Sequence, residues 1–144
     1  MPEGPSLLII SKTLKSVLKG QVITKVSGNG KFEIDTLLNQ KIIDVKSWGK
    51  HLLIITKRFT IRIHFLLFGS YSIDEHIKAD RSIRLKMTCG KKVVYFYTCS
   101  IKLLPGNINN HYDWEADVLN KKWNIKKAKA KLKQQPNALV CDAL

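Results

Sequence analysis

The sequence has few cysteines and no long apolar run. Its cysteines, Cys89, Cys99 and Cys141, form no Cys-x-x-Cys pair and have no histidine at zinc-finger spacing. This pattern excludes a disulfide framework, so we expect buried thiols in a reducing compartment. No run approaches the ~20 apolar residues that span a bilayer, and Lys12 and Lys15 interrupt the one candidate for a signal-peptide core. The sequence therefore predicts a soluble intracellular protein with no membrane partner.

Acidic residues are scarce as well. Eleven Asp and Glu stand against 25 Lys and Arg, which gives 144 residues a formal net charge of +14. Such a balance is typical of proteins that bind the phosphates of nucleic acids. Ribosomal proteins, membrane-surface proteins and other basic proteins share it, so charge alone leaves these classes open.

Hydrophobic periodicity predicts one helix followed by a β-rich region. Over residues 5–18, apolar residues recur at three- and four-residue steps, at Leu7, Ile10, Leu14, Val17 and Leu18. Eight short strands are predicted next, at residues 21–26, 42–45, 51–56, 60–65, 70–73, 83–87, 93–97 and 101–104. Strands at this spacing indicate an antiparallel sandwich or barrel. The predicted fold class is mainly β with helices (α+β): a helix, then an antiparallel β-sandwich.

The pattern changes after Pro105-Gly106. We predict an N-terminal domain over residues 1–106, a polar linker over 107–112 and a helical region over 113–144. Asp113 is predicted to cap a short helix with Trp114, Val118 and Leu119 on one face. A lysine-rich helix is predicted over residues 124–134 and a third over 138–144. Because that third helix ends the sequence with unpartnered apolar side chains, we expect a fragment with an incomplete second region.

The opening residues, Met1-Pro2-Glu3-Gly4-Pro5, can carry chemistry. If Met1 is removed, the chain begins with the secondary amine of Pro2 beside the Glu3 carboxyl group. An α-amino group has a pKa of roughly 8, against about 10.4 for a lysine, so more of it is unprotonated and nucleophilic at neutral pH. Its adduct with an aldehyde carbon is a cationic iminium, which is an electron sink. Many proteins use such a proline only as the first residue of a helix, and the pentapeptide alone leaves both roles open.

Two further segments have unusual patterns. In Trp48-Gly49-Lys50-His51-Leu52-Leu53 a lysine follows a glycine that allows a sharp turn. In Ile63-His64-Phe65-Leu66-Leu67-Phe68-Gly69-Ser70 four apolar residues follow a histidine. Taken alone, these are also consistent with a solvated lysine, an interior histidine and core side chains. Since the four apolar residues cannot all face one side of a strand, at least one needs a partner outside the sheet.

Together and in this order, these segments resemble the DNA glycosylases of the formamidopyrimidine-DNA glycosylase and endonuclease VIII (Fpg/Nei) family. Asp117-Val118-Leu119 and residues 136–144 are similar to the entry into that family's helix-two-turns-helix module. The resemblance covers the whole chain, but the chain corresponds to about the N-terminal half of the family's architecture.

The resemblance implies a bifunctional DNA glycosylase and abasic-site (AP) lyase of base-excision repair. Pro2 is the implied nucleophile, Glu3 the implied acid, and Lys50 a phosphate contact that helps proton transfer. The implied partner is damaged double-stranded DNA, bound by a monomer in the bacterial cytosol or nucleoid.

Further DNA contacts are implied by the same resemblance. His64 would contact phosphate, and an apolar wedge would fill the gap left by the extruded base; the wedge residues are Leu66, Leu67 and Phe68. No metal or other cofactor is implied in this chain, because the zinc of relatives belongs to their C-terminal finger.

Two departures from the family pattern are visible. Ser6 stands where relatives usually carry a glutamate, which puts one carboxylate of the pocket in doubt. Tyr97-Thr98-Cys99-Ser100-Ile101-Lys102 lacks the arginine pair and phenylalanine of the formamidopyrimidine branch. This favours the endonuclease VIII branch and oxidised pyrimidines.

Two alternatives remain open at the level of sequence. One is a non-catalytic, truncated basic domain that binds DNA through phosphates, with an affinity that falls steeply as salt rises. The other is a basic interaction module with no role on DNA.

Overall fold

The computed structural model describes residues 2–134 and residue 137. This part of the chain contains two α-helices and eight β-strands. In chain order they are α1 (Gly4–Leu18), β1 (Ile23–Ser27), β2 (Ile42–Trp48), β3 (His51–Thr56), β4 (Phe59–His64), β5 (Ser70–Ile73), β6 (Ile83–Cys89), β7 (Lys92–Tyr97), β8 (Ser100–Pro105) and α2 (Ile125–Lys133). The predicted helix and strands are all present, with ends that differ from the prediction by at most three residues.

Helix α1 forms because its apolar stripe has a core to face. Leu7, Leu14 and Leu18 are fully buried, as the three- and four-residue spacing predicts. At its start, the backbone N–H of Glu3 donates a hydrogen bond of 2.9 Å to Oγ of Ser6. Ser6 thus satisfies a backbone donor that the helix itself leaves free.

The strands form two antiparallel four-stranded sheets. The first sheet has the order β2-β3-β4-β8, and the second has the order β1-β6-β7-β5. Their inner faces and α1 enclose the main hydrophobic core, which includes Leu52, Ile54, Ile61, Ile63, Leu85, Met87, Val94 and Phe96. The predicted helix followed by an antiparallel sandwich is confirmed.

The outer face of the first sheet is covered by the chain that follows β8. Trp48 and Leu53 on this face form a second apolar cluster with Ile108 and Ala116. Helix α2 adds to the cover, since the Nζ atom of its Lys131 lies 3.3 Å from the ring centroid of Trp48. The boundaries at residues 106 and 112 remain predictions.

One expectation for this region is wrong. Trp114, Val118 and Leu119 do not share the face of a helix, because only a short 3-10 helix forms, at Trp114–Ala116. The carboxylate of Asp117 accepts a hydrogen bond from the Leu119 N–H and turns the chain away. Asp113 does cap this 3-10 helix, by accepting the N–H of Glu115.

Some of the remaining expectations concern residues that the structure describes, and others do not. The lysine-rich helix is present as α2, capped by the side chain of Asn124. Cys89 and Cys99 are buried free thiols, and burial raises their pKa values to about 11 and about 12. Cys141 and the third predicted helix lie outside the described residues. None of the helices in residues 2–134 has the length and apolarity needed to cross a membrane.

Candidate active site at the start of the first helix

Three segments that are distant in sequence line one cavity of about 370 Å³. The start of α1 contributes Glu3, Gly4 and Pro5, and the turn between β2 and β3 contributes Gly49 and Lys50. The chain after β8 supplies the third wall, which consists of Ala116, Asp117, Val118 and Leu119. The cavity therefore combines charged groups with a mainly apolar wall.

Glu3 and Lys50 form the charged pair of this cavity. The Nζ atom of Lys50 lies 3.7 Å from Oε2 of Glu3, and their side chains are 25% and 52% exposed, respectively. Lys50 reaches this position because Trp48 and His51 pair across a two-residue turn, in which Gly49 adopts a φ of 53°. The fold thus places a lysine and a carboxylate side by side at the start of α1, directly after Pro2.

The helix start favours negatively charged ligands. Its first turn carries no acidic residue, and Glu3 precedes it at the N-cap. Free backbone N–H groups and the helix dipole give such an end a partial positive charge. A phosphate approaching Lys50 would meet this charge as well.

His64 lies at the end of β4, opposite His51 in the sheet. Its Nδ1 atom accepts a hydrogen bond of 3.1 Å from the Leu66 N–H. Burial lowers the pKa of His64, as do the charges of Lys50 and Arg62, whereas Glu3 opposes them. The neutral ring with Nδ1 as acceptor carries its proton on Nε2, which is a hydrogen-bond donor suited to a phosphate.

The loop after His64 separates its four apolar residues. Phe65 is buried, whereas Leu66, Leu67 and Phe68 are 46%, 62% and 71% exposed. The Gly69 N–H closes the loop by donating to the Phe65 carbonyl over 2.7 Å. A Cβ atom on Gly69 would lie 1.9 Å from that carbonyl oxygen, so the loop requires glycine here. The apolar run is therefore an exposed tip on a buried anchor.

Sequence reasoning missed two polar groups near Lys50. Asp117 is only 8% exposed and lines the same cavity; burial raises the pKa of its carboxyl group. His51 has its Nδ1 atom 2.9 Å from the Tyr112 hydroxyl oxygen, and burial, with nearby cations, lowers its pKa to about 4. His51 belongs to the segment that begins at Trp48, and Asp117 begins the segment Asp117-Val118-Leu119, but only the fold shows what surrounds them.

Metal ligation has no candidate among the residues that the structure describes. No group of three or more His, Cys, Asp or Glu side chains is close enough there to hold an ion.

The chain matches the model of a known protein family. A model of the formamidopyrimidine-DNA glycosylase N-terminal domain matches residues 1–100, which include α1, the Lys50 turn and the loop after His64. The chain belongs to the formamidopyrimidine-DNA glycosylase (Fpg/Nei) family. It corresponds to the N-terminal half of that family's architecture, as predicted.

Curated relatives agree with this membership. Two proteins named Endonuclease 8 2, from Mycobacterium bovis and Mycobacterium tuberculosis, are each 26% identical to this chain over an alignment of 153 residues. The alignment covers 100% of this chain and 60% of each relative. The chain therefore spans about three fifths of the length of these relatives.

Solved structures share the fold. The Lactococcus lactis formamidopyrimidine-DNA glycosylase bound non-covalently to DNA with an AP site matches with a TM-score of 0.64 and 16% identity, over 72% of this chain and 45% of that one. The wild-type L. lactis enzyme with N7-benzyl-Fapy-dG DNA matches with a TM-score of 0.66 and 16% identity, over 77% and 46% of the two chains. Both likenesses show the fold alone.

Proposed function

We propose that this protein is a DNA glycosylase and AP lyase that removes oxidised bases from double-stranded DNA through the amine of Pro2. The observation that carries the proposal is the Lys50–Glu3 pair, with a separation of 3.7 Å, directly after Pro2 at a helix start. Family membership and the net charge of +14 support DNA as the partner.

In the proposed reaction, the Pro2 amine attacks C1′ of the damaged nucleotide and gives its proton to the departing base, while the Glu3 carboxyl group delivers a proton to the sugar ring oxygen as the C1′–O4′ bond breaks. The base leaves, and an iminium joins Pro2 to C1′. The cation acidifies the C2′ proton, whose removal expels the 3′ phosphate oxygen by β-elimination; water then hydrolyses the iminium. Lys50 holds the phosphates and assists proton transfer. The reaction requires a free Pro2 amine and therefore removal of Met1.

DNA binding in this proposal uses the groups next to the cavity. His64 donates from Nε2 to a phosphate, and Leu66, Leu67 and Phe68 insert where the base has been extruded. Their exposure of 46%, 62% and 71% supports this role, because a wedge must be accessible before DNA arrives. Oxidised pyrimidines are the proposed lesions, and the relatives named Endonuclease 8 2 support that branch. We propose that the protein acts as a monomer.

Borohydride trapping on a duplex with one AP site tests the iminium. Intact mass first establishes that Met1 is absent. We expect a trapped protein–DNA adduct for the chain that starts at Pro2 and none for a chain that retains Met1. No adduct from a chain that starts at Pro2 would contradict the proposal and favour a non-catalytic domain that binds phosphates, whose affinity would fall steeply with salt.

Two variants separate the catalytic roles. Glu3→Gln should lose base removal but still form the adduct at a preformed AP site, because no base remains to be expelled there. Lys50→Ala should slow elimination by about 100-fold, the lower range for lost general acid–base assistance. Lys57→Ala is the matched control, since Lys57 is an exposed lysine in the next turn of the same sheet. Equal effects of the two lysine variants would reject a specific role for Lys50.

A further inference from the structure

We propose that Asp117 is a positioning residue of this site: its carboxylate fixes the Gly49–Lys50 turn against the start of α1 and so holds the Lys50 ammonium beside Glu3. The inference rests on the proposed function for its catalytic consequence. Its structural part, the restraint on the turn, can be measured without any activity.

Asp117 lies between two segments. Its carboxylate accepts the Leu119 N–H over 3.1 Å, and the neighbouring Gly49 backbone N–H acts to lower its pKa. Asp117 is 8% exposed, and a buried carboxylate is costly unless such donors satisfy it. The proximity of the Asp117 carboxylate to Gly49, with which it lines the cavity, therefore connects the chain after β8 to the residue next to Lys50.

Close packing completes the connection to α1. A Cβ atom on Gly4 would lie 3.0 Å from Cδ1 of Leu119 and 3.8 Å from the Gly49 carbonyl oxygen. Leu119 and the turn thus lie close to the start of α1 around Gly4. Asp117 lines the same cavity as these residues.

Charge around Asp117 is consistent with a bracing role. The charge of Lys131 in α2 acts to lower the pKa of the Asp117 carboxyl group. Lys50 and Glu3 line the same cavity. Ser6 is committed to the Glu3 N–H and brings no carboxylate to the pocket. Asp117 therefore provides the second carboxyl group of the cavity, from a segment beyond the matched family domain.

The test compares three variants of the chain that starts at Pro2. Asp117→Ala removes the acceptor, whereas Asp117→Asn keeps an oxygen acceptor without the charge. Asp113→Ala is the matched control, because Asp113 makes the same kind of cap, to Glu115, in the same segment but lies outside the residues that line the cavity. Thermal unfolding identifies any variant that does not fold.

Two measurements are made on each variant: hydrogen exchange of the Gly49 amide and the rate of borohydride trapping on AP-site DNA. For Asp117→Ala we expect exchange to accelerate at least 10-fold and trapping to slow about 10- to 100-fold, the scale for a misplaced catalytic group. Asp117→Asn should keep the exchange rate and the trapping rate within about 3-fold of the wild-type values. Asp113→Ala should change neither rate. If Asp117→Ala does not fold, Asp117→Asn must still match the wild type in both measurements.

The results that would contradict the proposal can be told apart from one another. Unchanged Gly49 exchange in folded Asp117→Ala would overturn the restraint itself. Slow trapping in Asp117→Asn with a protected Gly49 amide would show that charge, not position, matters, and would reject a positioning role. If the wild type forms no adduct while Gly49 exchange responds as expected, the proposed function fails and the restraint on the turn stands.

Discussion

The pKa of His51 makes stability depend on pH in a defined window. Burial, followed by the charges of Arg62, His64 and Lys131, lowers its pKa from 6.5 to about 4. Between these values the unfolded chain binds a proton that the folded chain does not, so stability is retained above pH 6.5 and lost as pH falls towards 4. Each pKa unit corresponds to about 1.4 kcal/mol, which sets an upper limit of about 3 kcal/mol. Because the ring is only partly buried, solvent screening reduces our expectation to about 2 kcal/mol.

Urea denaturation of the wild type and His51→Gln, at about pH 7.5 and about pH 4.5, measures this effect. Glutamine keeps a hydrogen-bonding group for Tyr112, which lies 2.9 Å from His51, but does not titrate. We expect the wild type to lose about 2 kcal/mol more than His51→Gln on acidification. His111→Gln, which removes an exposed histidine, serves as control and should follow the wild type. Equal losses in the wild type and His51→Gln would refute the assignment to His51.

Three other substitutions test the loop and the cover of the first sheet. Gly69→Ala should destabilise the fold by about 1–3 kcal/mol in urea denaturation, since its Cβ atom would lie 1.9 Å from the Phe65 carbonyl oxygen; wild-type stability would contradict the loop geometry. Phe68→Ala should change stability by less than about 0.5 kcal/mol but slow adduct formation on duplex DNA more than on single strands, and equal slowing would reject the wedge. Lys131→Met should lower the free energy of unfolding by about 1 kcal/mol and alter tryptophan fluorescence, because the contact with Trp48 is lost. An unchanged fluorescence spectrum would argue against that contact.

The sheets and α1 could be predicted because their signals are local. Leu7, Leu14 and Leu18 recur on one helix face and are all buried, and turn residues separate the strands. The loop after His64 shows where local reasoning stops. The sequence indicated that at least one of its four apolar residues needs a partner outside the sheet. Which residue is buried depends on the neighbours of Phe65, whose ring centroid lies 6.4 Å from that of Phe96.

Asp117 is a second case that local sequence patterns did not predict. The expected helical face assumed that periodicity continues through residues 114–119, whereas the Asp117 carboxylate bonds its own backbone two residues on and ends the helix. The Gly49 backbone N–H, 68 residues earlier by subtraction of the two residue numbers, also lies near this carboxylate and acts to lower its pKa. A contact of that kind follows from the way the chain after β8 crosses the first sheet, and no local pattern encodes it.

The crossing chain also buries part of the outer face of the first sheet. Leu53 is fully buried although it lies on the outer face of the first sheet, because Ile108 and Ala116 cover it. Removing this cover would expose an apolar strand face next to the Lys50 turn, and fully burying a leucine alone contributes about 1.5–3 kcal/mol. The same segment that buries Leu53 carries Asp117 into the cavity. Because one segment does both, we expect substitutions that loosen the cover also to release the turn that carries Lys50.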